Sequence, residues 1–493
     1  MSQIAISGLS FSYPGSHDLI FNAVNLTLDT RWRLALVGRN GRGKTTLLRL
    51  LAGDYAYHGS IQAAVDFDYF PCAVAQPRQP VRAVVAAICP QAMDWEVERE
   101  LSLLGVEEAV LMRPFETLSG GEATKVLLAA QFLKEDGFPL IDEPTNHLDR
   151  QGREAVSRYL KGKQGFILVS HDRCFLDGCV DHVLAIGNQG ITLTRGDYNH
   201  WHQEKELQDA AEAHQNEGLK KEIKRLNTAA RRSAQWSDAV EKTKKGTRVS
   251  GLRPDRGHIG AKAAKMMKRS KAIEARRLEA ADQKSTLLKE VEQVAALKLR
   301  PLSYHKEVLV AVSELEVDYG QGPVCLPLSL TLGRGERVVL SGPNGSGKSS
   351  VLGCICGEDI PHRGQCMVGS GLRISRVGQD TRQLVGSLWD YAAGWGIDES
   401  RFLAILRKMG FTRQQFETAL SDYSPGQRKK VELARSLCES AHLYIWDEPM
   451  NDLDAYSREQ LEGVLLSSAP TLLFVEHDRA FCEAVATREV SLE

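Results

Sequence analysis

Four short motifs occur in this chain twice, in the same order and at an almost constant separation. Lys44 of one glycine-rich loop has its counterpart at Lys348, 304 residues on. Ser119 matches Ser424 and Glu143 matches Glu448, each 305 on, and His171 matches His477, 306 on. One match of this kind can arise by chance, whereas four in one order at one period require a tandem duplication. The fold is thereby limited to two similar bodies plus whatever separates them, and the repeated residues are of kinds that handle phosphate.

Hydrophobic content of 43% and charged content of 25% are those of globular domains with real cores. The longest apolar run, residues 83–89, is seven residues, against the ~18 needed to span a bilayer. The start, Met1-Ser-Gln-Ile-Ala-Ile, has no basic stretch followed by an apolar one, so a cytoplasmic protein without a secretory signal is expected. The ten cysteines form no framework. Cys354 and Cys356 follow a phosphate loop with no His or Cys cluster beside them, and read as buried thiols in a reducing compartment rather than a metal site. The net charge of −1 conceals a segregation: residues 201–300 hold 24 Lys/Arg against 14 Asp/Glu, a net of +10, leaving −11 for the remainder. Such a run can be a solvated helix face, but its confinement between two acidic bodies favours a polyanionic partner.

The first body, residues 1–200, opens with strand-like alternation at Ile4, Ile6, Leu9 and Phe11. The apolar run Trp32-Arg-Leu-Ala-Leu-Val37 then leads into Gly38-Arg-Asn-Gly-Arg-Gly-Lys-Thr45 and a helical stretch beginning at Thr46. Strand, loop and helix are the context this pattern needs. Gly38, Asn40, Gly41 and Gly43 let backbone N–H groups close around phosphate oxygens, and the helix start at Thr46 adds a favourable dipole. Lys44 is expected to reach the β- and γ-phosphates, and the Thr45 hydroxyl to serve Mg2+. Phe138-Pro-Leu-Ile141 reads as a short strand ending in Asp142, expected to hold Mg2+ through water, and Glu143, expected to polarise the attacking water as general base. His171 ends another apolar strand, placed for the γ-phosphate, and Asp149 could reach a neighbouring site. Ser119, Gly120, Gly121 and Glu122 open a helix and make a second anion site. That motif cannot reach the phosphate loop of its own body, so it is expected to complete the site of the other. Tyr13, 25 residues before Gly38, suits stacking on adenine, and that reading is preferred to the core role a lone aromatic more often has.

The second body, residues 304–493, carries the same set. Gly342, Asn344, Gly345, Gly347, Lys348, Ser349 and Ser350 form the phosphate loop and helix start after the strand Arg337-Val-Val-Leu-Ser341. Gln379 is a candidate γ-phosphate sensor and Mg2+ contact. Ser424, Gly426 and Gln427 open the anion-binding helix, Asp447 and Glu448 end the acidic strand, Asp454 follows, and His477 is the switch. Tyr319 lies 23 residues before Gly342.

These residues resemble the ABC ATPases across almost the whole of both bodies. The resemblance implies an α/β fold in which each body has a parallel sheet core, a helical subdomain and an antiparallel β subdomain. It implies two cassettes of one monomer closing head to tail over two ATP molecules, with ATP and Mg2+ as cofactors and hydrolysis to ADP and phosphate as the reaction. Site one would pair Lys44, Thr45, Asp142, Glu143 and His171 with Ser424, Gly426 and Gln427. Site two would pair Lys348, Ser349, Gln379, Asp447, Glu448 and His477 with Ser119, Gly120, Gly121 and Glu122. In one departure, Tyr69-Phe-Pro-Cys72 places a cysteine where a glutamine is expected, with Gln76 close by but out of register. The two sites are therefore expected to hydrolyse unequally, although both keep a general base and both are expected to be competent.

Between the bodies, residues 201–236 contain no proline and one glycine, and Leu219, Ile223, Leu226 and Ala230 fall on one helical stripe. Gly246, Gly251, Pro254, Gly257 and Gly260 mark an irregular tip. A second helix is expected from 261 to about 299, stopped by Pro301, with Leu287, Val291 and Val294 on its stripe. Residues 201–303 thus read as an antiparallel helical hairpin with arms of roughly 55 Å. Its basic residues gather towards the tip, and Lys244, Lys245, Arg248, Arg253, Arg256, Lys262, Lys265, Lys268, Arg269 and Lys271 are candidate RNA contacts.

A long basic hairpin between tandem cassettes, with no membrane span, resembles the ABC-F branch, whose members act on ribosomes. The blocks Val37-Gly-Arg-Asn-Gly-Arg-Gly-Lys-Thr-Thr-Leu-Leu-Arg49, Ile259-Gly-Ala-Lys-Ala-Ala-Lys-Met-Met-Lys-Arg-Ser-Lys271 and Leu443-Tyr-Ile-Trp-Asp-Glu-Pro449 are similar to those of the Lsa-type antibiotic-resistance factors. This resemblance implies binding near the tRNA exit site, contacts with large-subunit rRNA and P-site tRNA, and release on ATP hydrolysis. It also implies protection of the peptidyl-transferase centre against lincosamides, streptogramin A compounds and pleuromutilins. The 75 residues between Lys44 and Ser119 leave no room for the extra arm of other ABC-F branches, and no C-terminal extension is expected. Pro254 stands where an aromatic would be expected, which bears on the drug spectrum. Alternatives are a general translation factor of the same branch, the energy-coupling half of a drug exporter, and an ATPase acting on branched or damaged DNA. The exporter reading leaves the basic segment unexplained, and competition between ribosomes and DNA junctions separates the last.

Overall fold

The computed structural model describes residues 2–14, 19–187, 190–243, 268, 271–273, 275–276, 279–280, 296–320, 322, 324 and 326–492, with backbone alone along 230–243. It forms two compact units, one of Met1–Trp201 with Val294–Glu493 and one of His202–Gln293. The first unit contains both cassettes.

In the first cassette six strands make one sheet, in the spatial order Asp66–Phe70, Gly137–Asp142, Phe166–Val169, Arg33–Gly38, His182–Gly187, Gly190–Arg195. Every neighbouring pair is parallel except the last. Parallel strands are covered on both faces and so read as continuous apolar runs, and Phe166–Val169 is buried at all four positions. Along Arg33–Gly38 the pleat sends Leu34 and Leu36 to one core and Ala35 and Val37 to the other. The first of those cores is shared with Ile4, Ile6 and Leu9 of a three-stranded antiparallel sheet, in which Gln3–Phe11 lies between Phe21–Asp29 and His58–Gln62. The second is closed by the helices Val81–Ile88, Asp94–Leu103 and Gly120–Phe132.

The second cassette repeats the plan. Its parallel sheet runs Ile374–Val377, Leu443–Asp447, Leu472–Val475, Arg337–Ser341, Arg488–Ser491, and its antiparallel sheet places Val308–Val317 between Leu328–Gly333 and His362–Val368. Trp446, wholly buried on Leu443–Asp447, donates its indole N–H to Ser436 Oγ at 3.0 Å, so a large ring enters the core without stranding a donor. The α/β architecture of two cassettes, each with a parallel core, a helical layer and an antiparallel sheet, is as expected.

The helix Tyr198–Thr243 has 46 residues, a length of about 69 Å at the usual rise, longer at both ends than the sequence stripe. Leu219, Ile223 and Leu226 are half-buried and continue a stripe that includes the buried Glu212 and Asn216. The tip glycines, Pro254, Ala230's side chain, Leu287, Val291, Val294 and the RNA candidates Lys244, Lys245, Arg248, Arg253, Arg256, Lys262, Lys265 and Arg269 lie outside the described residues. Lys268 and Lys271 are helical and exposed. One expectation is corrected: the second helix does not run to 299. Residues 296–300 carry no helix, and Leu297 and Leu299 are buried in the second cassette's core. Lys408 Nζ donates to the Ala296 carbonyl at 2.7 Å and Arg401 to that of Lys298 at 3.3 Å, while Pro301 disfavours helix in the residue before it. Among the described residues, no helix is long and apolar enough to cross a membrane.

Candidate active site

The loop after Arg33–Gly38 turns on Gly41 and Gly43, at φ of 82° and 91°, a region that only glycine enters freely. A Cβ on Gly43 would come within 2.6 Å of Ile20 Cγ2. Lys44 opens the next helix and folds back, its Nζ donating to the carbonyls of Gly38 (2.7 Å) and Arg39 (3.3 Å) and to Asn40 Oδ1 (3.2 Å). Lys348 does the same towards Gly342 (2.9 Å) and Pro343 (2.7 Å). Each antiparallel sheet delivers a tyrosine to the same helix start: Tyr13 shares a 2.8 Å hydrogen bond with Thr46 Oγ1, and Tyr319 a 2.9 Å bond with Ser350 Oγ. Tyr13 also packs edge-on against Phe11 and Tyr55, so it is at once part of an aromatic cluster and beside the loop.

Glu143 and Glu448 both stand in the left-handed region, at φ 49° and 47°. Such backbone persists only where the surrounding fold imposes it and recurs at functional positions. Here parallel pairing imposes it, since the Glu143 N–H bonds the Val169 carbonyl at 2.9 Å and the Glu448 N–H that of Val475 at 3.0 Å. Burial, opposed by the charge of Lys44, pushes the Glu143 carboxyl up to about 8. Burial likewise raises Glu448. His171 Nε2 stands 3.3 Å from Glu143 Oε1 and hydrogen-bonds Asn40 Oδ1 at 3.2 Å. His477 Nε2 is 3.7 Å from Glu448 Oε1. Burial holds both imidazoles well below their usual range, His477 at about 3, so both are neutral at pH 7.

The cassettes meet across these loops. Asp454 caps the helix Ala455–Ser468 with Oδ1, accepting from Ser457 N at 2.7 Å, and turns Oδ2 to the Asn40 N–H of the other cassette at 3.4 Å. Asp149 repeats this, capping Arg150–Lys161 through Gly152 N at 2.8 Å and meeting Asn344 N at 3.4 Å. Asn40 Nδ2 reaches the Asp452 carbonyl at 3.1 Å, and Asn344 Nδ2 that of His147 at 3.2 Å. A Cβ on Gly426 would lie 3.2 Å from Asn40 Nδ2, which puts the second cassette's anion-binding helix start at the first loop. At the other site a cavity of about 370 Å³ is lined by Asn344, Gly345, Gly347, Lys348, Ser349, Ser350, Gln379, Glu448 and His477 together with Gly120, Asn146, His147 and Leu148. Ser119 and Ser424 cap their helices reciprocally with Glu122 and Gln427, and Glu122 is further engaged by Arg113 at 3.1 Å. The sequence reading missed Asn146, His147 and Asp452. The repeat period held a signal, because Asn146 and Asn451 are also 305 apart.

The two sites differ on their edge strands. Tyr69 pairs with Leu140 and Arg376 with Ile445, each partner two residues before the strand's aspartate. Cys72 is therefore the register equivalent of Gln379, as expected. Gln379 donates to Glu448 Oε2 at 3.0 Å, whereas Cys72 packs against the first cassette's core and Gln76 is exposed. In the first site the Tyr69 hydroxyl donates to Asp142 Oδ2 at 2.9 Å. Burial raises Tyr69 to about 12, which keeps that proton in place.

The residues suit a magnesium–phosphate group. Glu143 Oε1, Asp447 Oδ1 and His477 Nε2 are buried with no hydrogen bond satisfied, a costly state that such a ligand relieves. The family model described as ABC transporter matches residues 21–146 and 325–451. The chain belongs to the ABC transporter family. Its two ATP-binding cassettes make it an ATPase. ATP-binding protein Uup of Caulobacter vibrioides is 28% identical over 489 residues, covering 96% of this chain and 75% of that protein. Ribosome protection protein VmlR of Bacillus subtilis is 28% identical over 490 residues, covering 96% and 84%. The energy-dependent translational throttle protein EttA of Escherichia coli K12 is 24% identical over 526 residues, covering 95% and 88%. Among solved structures, the archaeal ribosome recycling factor aABCE1 in complex with stalk protein aP1 has a TM-score of 0.62 at 18% identity, over 98% of this chain and 87% of that one. The last likeness is one of fold.

Proposed function

We propose that this ABC ATPase is an ABC-F factor that binds the ribosome near the tRNA exit site and leaves it on ATP hydrolysis. The observation that carries the reading is that relatives named for ribosome protection and for a translational throttle align along 96% and 95% of the chain, an extent that takes in the basic segment between the cassettes. We divide the chain into cassettes at 1–200 and 304–493 and an RNA-directed linker at 201–303, working as a cytoplasmic monomer. Its net of +10 over residues 201–300 suits rRNA and tRNA phosphates.

In this reading Lys44 and Lys348 neutralise the β- and γ-phosphates, and Glu143 and Glu448, in their ionised form, take the proton of the attacking water, each beside a neutral histidine able to donate one hydrogen bond. Thr45 with Asp142, and Ser349 with Asp447 and Gln379, would hold Mg2+, which supplies positive charge to the phosphate oxygens. Ser424, Gly426 and Gln427 complete site one, and Ser119, Gly120, Gly121 and Glu122 complete site two, so hydrolysis requires closed cassettes. Tyr13 and Tyr319 face adenine.

The Lsa-type drug protection expected from the sequence belongs to this proposal, and general action in translation is the second reading, favoured by the likeness to EttA. The variant carrying Glu143→Gln and Glu448→Gln, given ATP, should co-sediment with ribosomes at moderate salt. Its absence from the ribosome pellet would overturn the proposal. Expression in a sensitive bacterium separates the two readings: protection against lincosamides, streptogramin A compounds and pleuromutilins supports the first, and unchanged sensitivity the second.

A further inference from the structure

The two cassettes solve one local problem with different residues. The magnesium-facing aspartate lies at the end of a central strand, and the strand beside it carries a polar or charged side chain at the register position paired two residues earlier. In the second cassette that side chain is Arg376, which pairs with Glu358. Gly353, in the turn of the phosphate-loop helix above, leaves Glu358 its space, because a Cβ there would collide with the Glu358 carboxylate. In the first cassette the helix position equivalent to Gly353, five residues after the loop lysine, is Arg49, and the strand position is Tyr69. The arginine has moved from strand to helix, and a neutral hydroxyl now faces the aspartate. The Arg49 guanidinium lies over the Tyr69 ring at 5.6 Å and donates to Tyr55 OH at 3.3 Å. Tyr55 in turn packs edge-on against Tyr13 at 5.7 Å, which bonds Thr46. Tyr69 is thus clamped from above by a chain of contacts that ends at the phosphate-loop helix.

We infer that Tyr69 is the positioning residue of site one, its hydroxyl holding one oxygen of Asp142 so that the carboxylate is set for Mg2+ in a site that lacks the glutamine of site two. A carboxylate anchored through one oxygen keeps the other aimed, and partners of this kind contribute to metal affinity without touching the ion. Cys72, turned into the core, offers no such bond. The inference rests on the ATP reading of site one and is independent of the ribosome.

The test uses the full chain with Lys348→Ala, which silences site two, and follows a fluorescent ATP analogue as Mg2+ is titrated. Adding Tyr69→Phe should raise the Mg2+ concentration for half-maximal binding by about tenfold, while the analogue's affinity in EDTA and the melting temperature stay those of the parent. In the reciprocal background, Lys44→Ala, Tyr69→Phe should leave the Mg2+ requirement of site two unchanged. An unaltered requirement at site one, an equal loss of affinity with and without Mg2+, or a shift that also appears at site two would each reduce Tyr69 to packing. A Lys348→Ala parent that binds no analogue at all would remove the ATP reading of site one, and the inference with it.

Discussion

Glu143 and Glu448 occupy the same strained turn, yet the first has lost the amide that steadies the second. Its carboxyl is pushed up to about 8 by burial, against the charge of Lys44, whereas in an unfolded chain it titrates in the ordinary range near 4.5. Between these values the folded protein keeps a proton that the unfolded chain has released, so stability falls as pH rises through this window and levels off above it. Glu143→Gln removes that dependence. Thermal unfolding of the nucleotide-free protein should give a variant midpoint above the parent at pH 8.5, by roughly 2–4 °C for each kcal/mol recovered, with the gap closing by pH 5. An equal gap at both pH values would mean that the carboxyl is ionised in the folded protein. At this scale the sequence was informative wherever chemistry dictates residue type: Lys44, Glu143, His171 and their repeats stand in the places their motifs imply. It was silent on Tyr69 and Asp452. Their partners, Asp142 across a strand and Asn40 in another cassette, are set by sheet register and cassette pairing, which no local pattern encodes.

The α-helix that follows each strand ending in Asp-Glu begins at an aspartate, and the two aspartates differ in what else they hold. Asp454 lies 2.7 Å from Lys430, with side-chain exposures of 2% and 7%. Burial works against its charge, but Lys430 and the capping amide hold the carboxyl well below the usual range. Asp454→Asn keeps a good cap while leaving Lys430 buried without its counter-charge, so it should cost about 3 kcal/mol in denaturant unfolding. Asp149→Asn keeps its cap and breaks no lysine pairing among the described residues, so it should cost well under 1 kcal/mol. Equal costs would contradict the pairing. Strands and helices were legible as elements because parallel strands are continuously apolar and helices such as those opened by Ser119 and Ser424 carry caps at their starts. Their ends were less so. The expected helix was carried to about 299 by extending the stripe of Leu287, Val291 and Val294 as far as Pro301, yet Leu297 and Leu299 are drawn into the second cassette's core, a tertiary pull invisible in sequence.

Across the whole molecule, charge is divided between the linker and the cassettes, and that division is testable without disturbing the ATP sites. Lys268 and Lys271 are exposed on helix. Reversing both to Glu should weaken ribosome binding at every salt concentration and make the salt slope shallower by about two, with ATP hydrolysis in the absence of ribosomes intact. Loss of that basal hydrolysis would assign the two lysines to folding instead. The twofold plan itself was readable from the repeat period, because each motif copy must find a partner that its own half cannot supply. The aspartates at 149 and 454 show what this plan entails. Each uses one oxygen for its own helix and the other for a main-chain N–H in the loop of the opposite half, so the seam reads the shape of the facing loop, and each half depends on the other keeping that shape. Heredity made the halves alike, but the seam makes them interdependent, and a chimera joining one half to a stranger's should work as a machine only where the stranger's loop holds that shape.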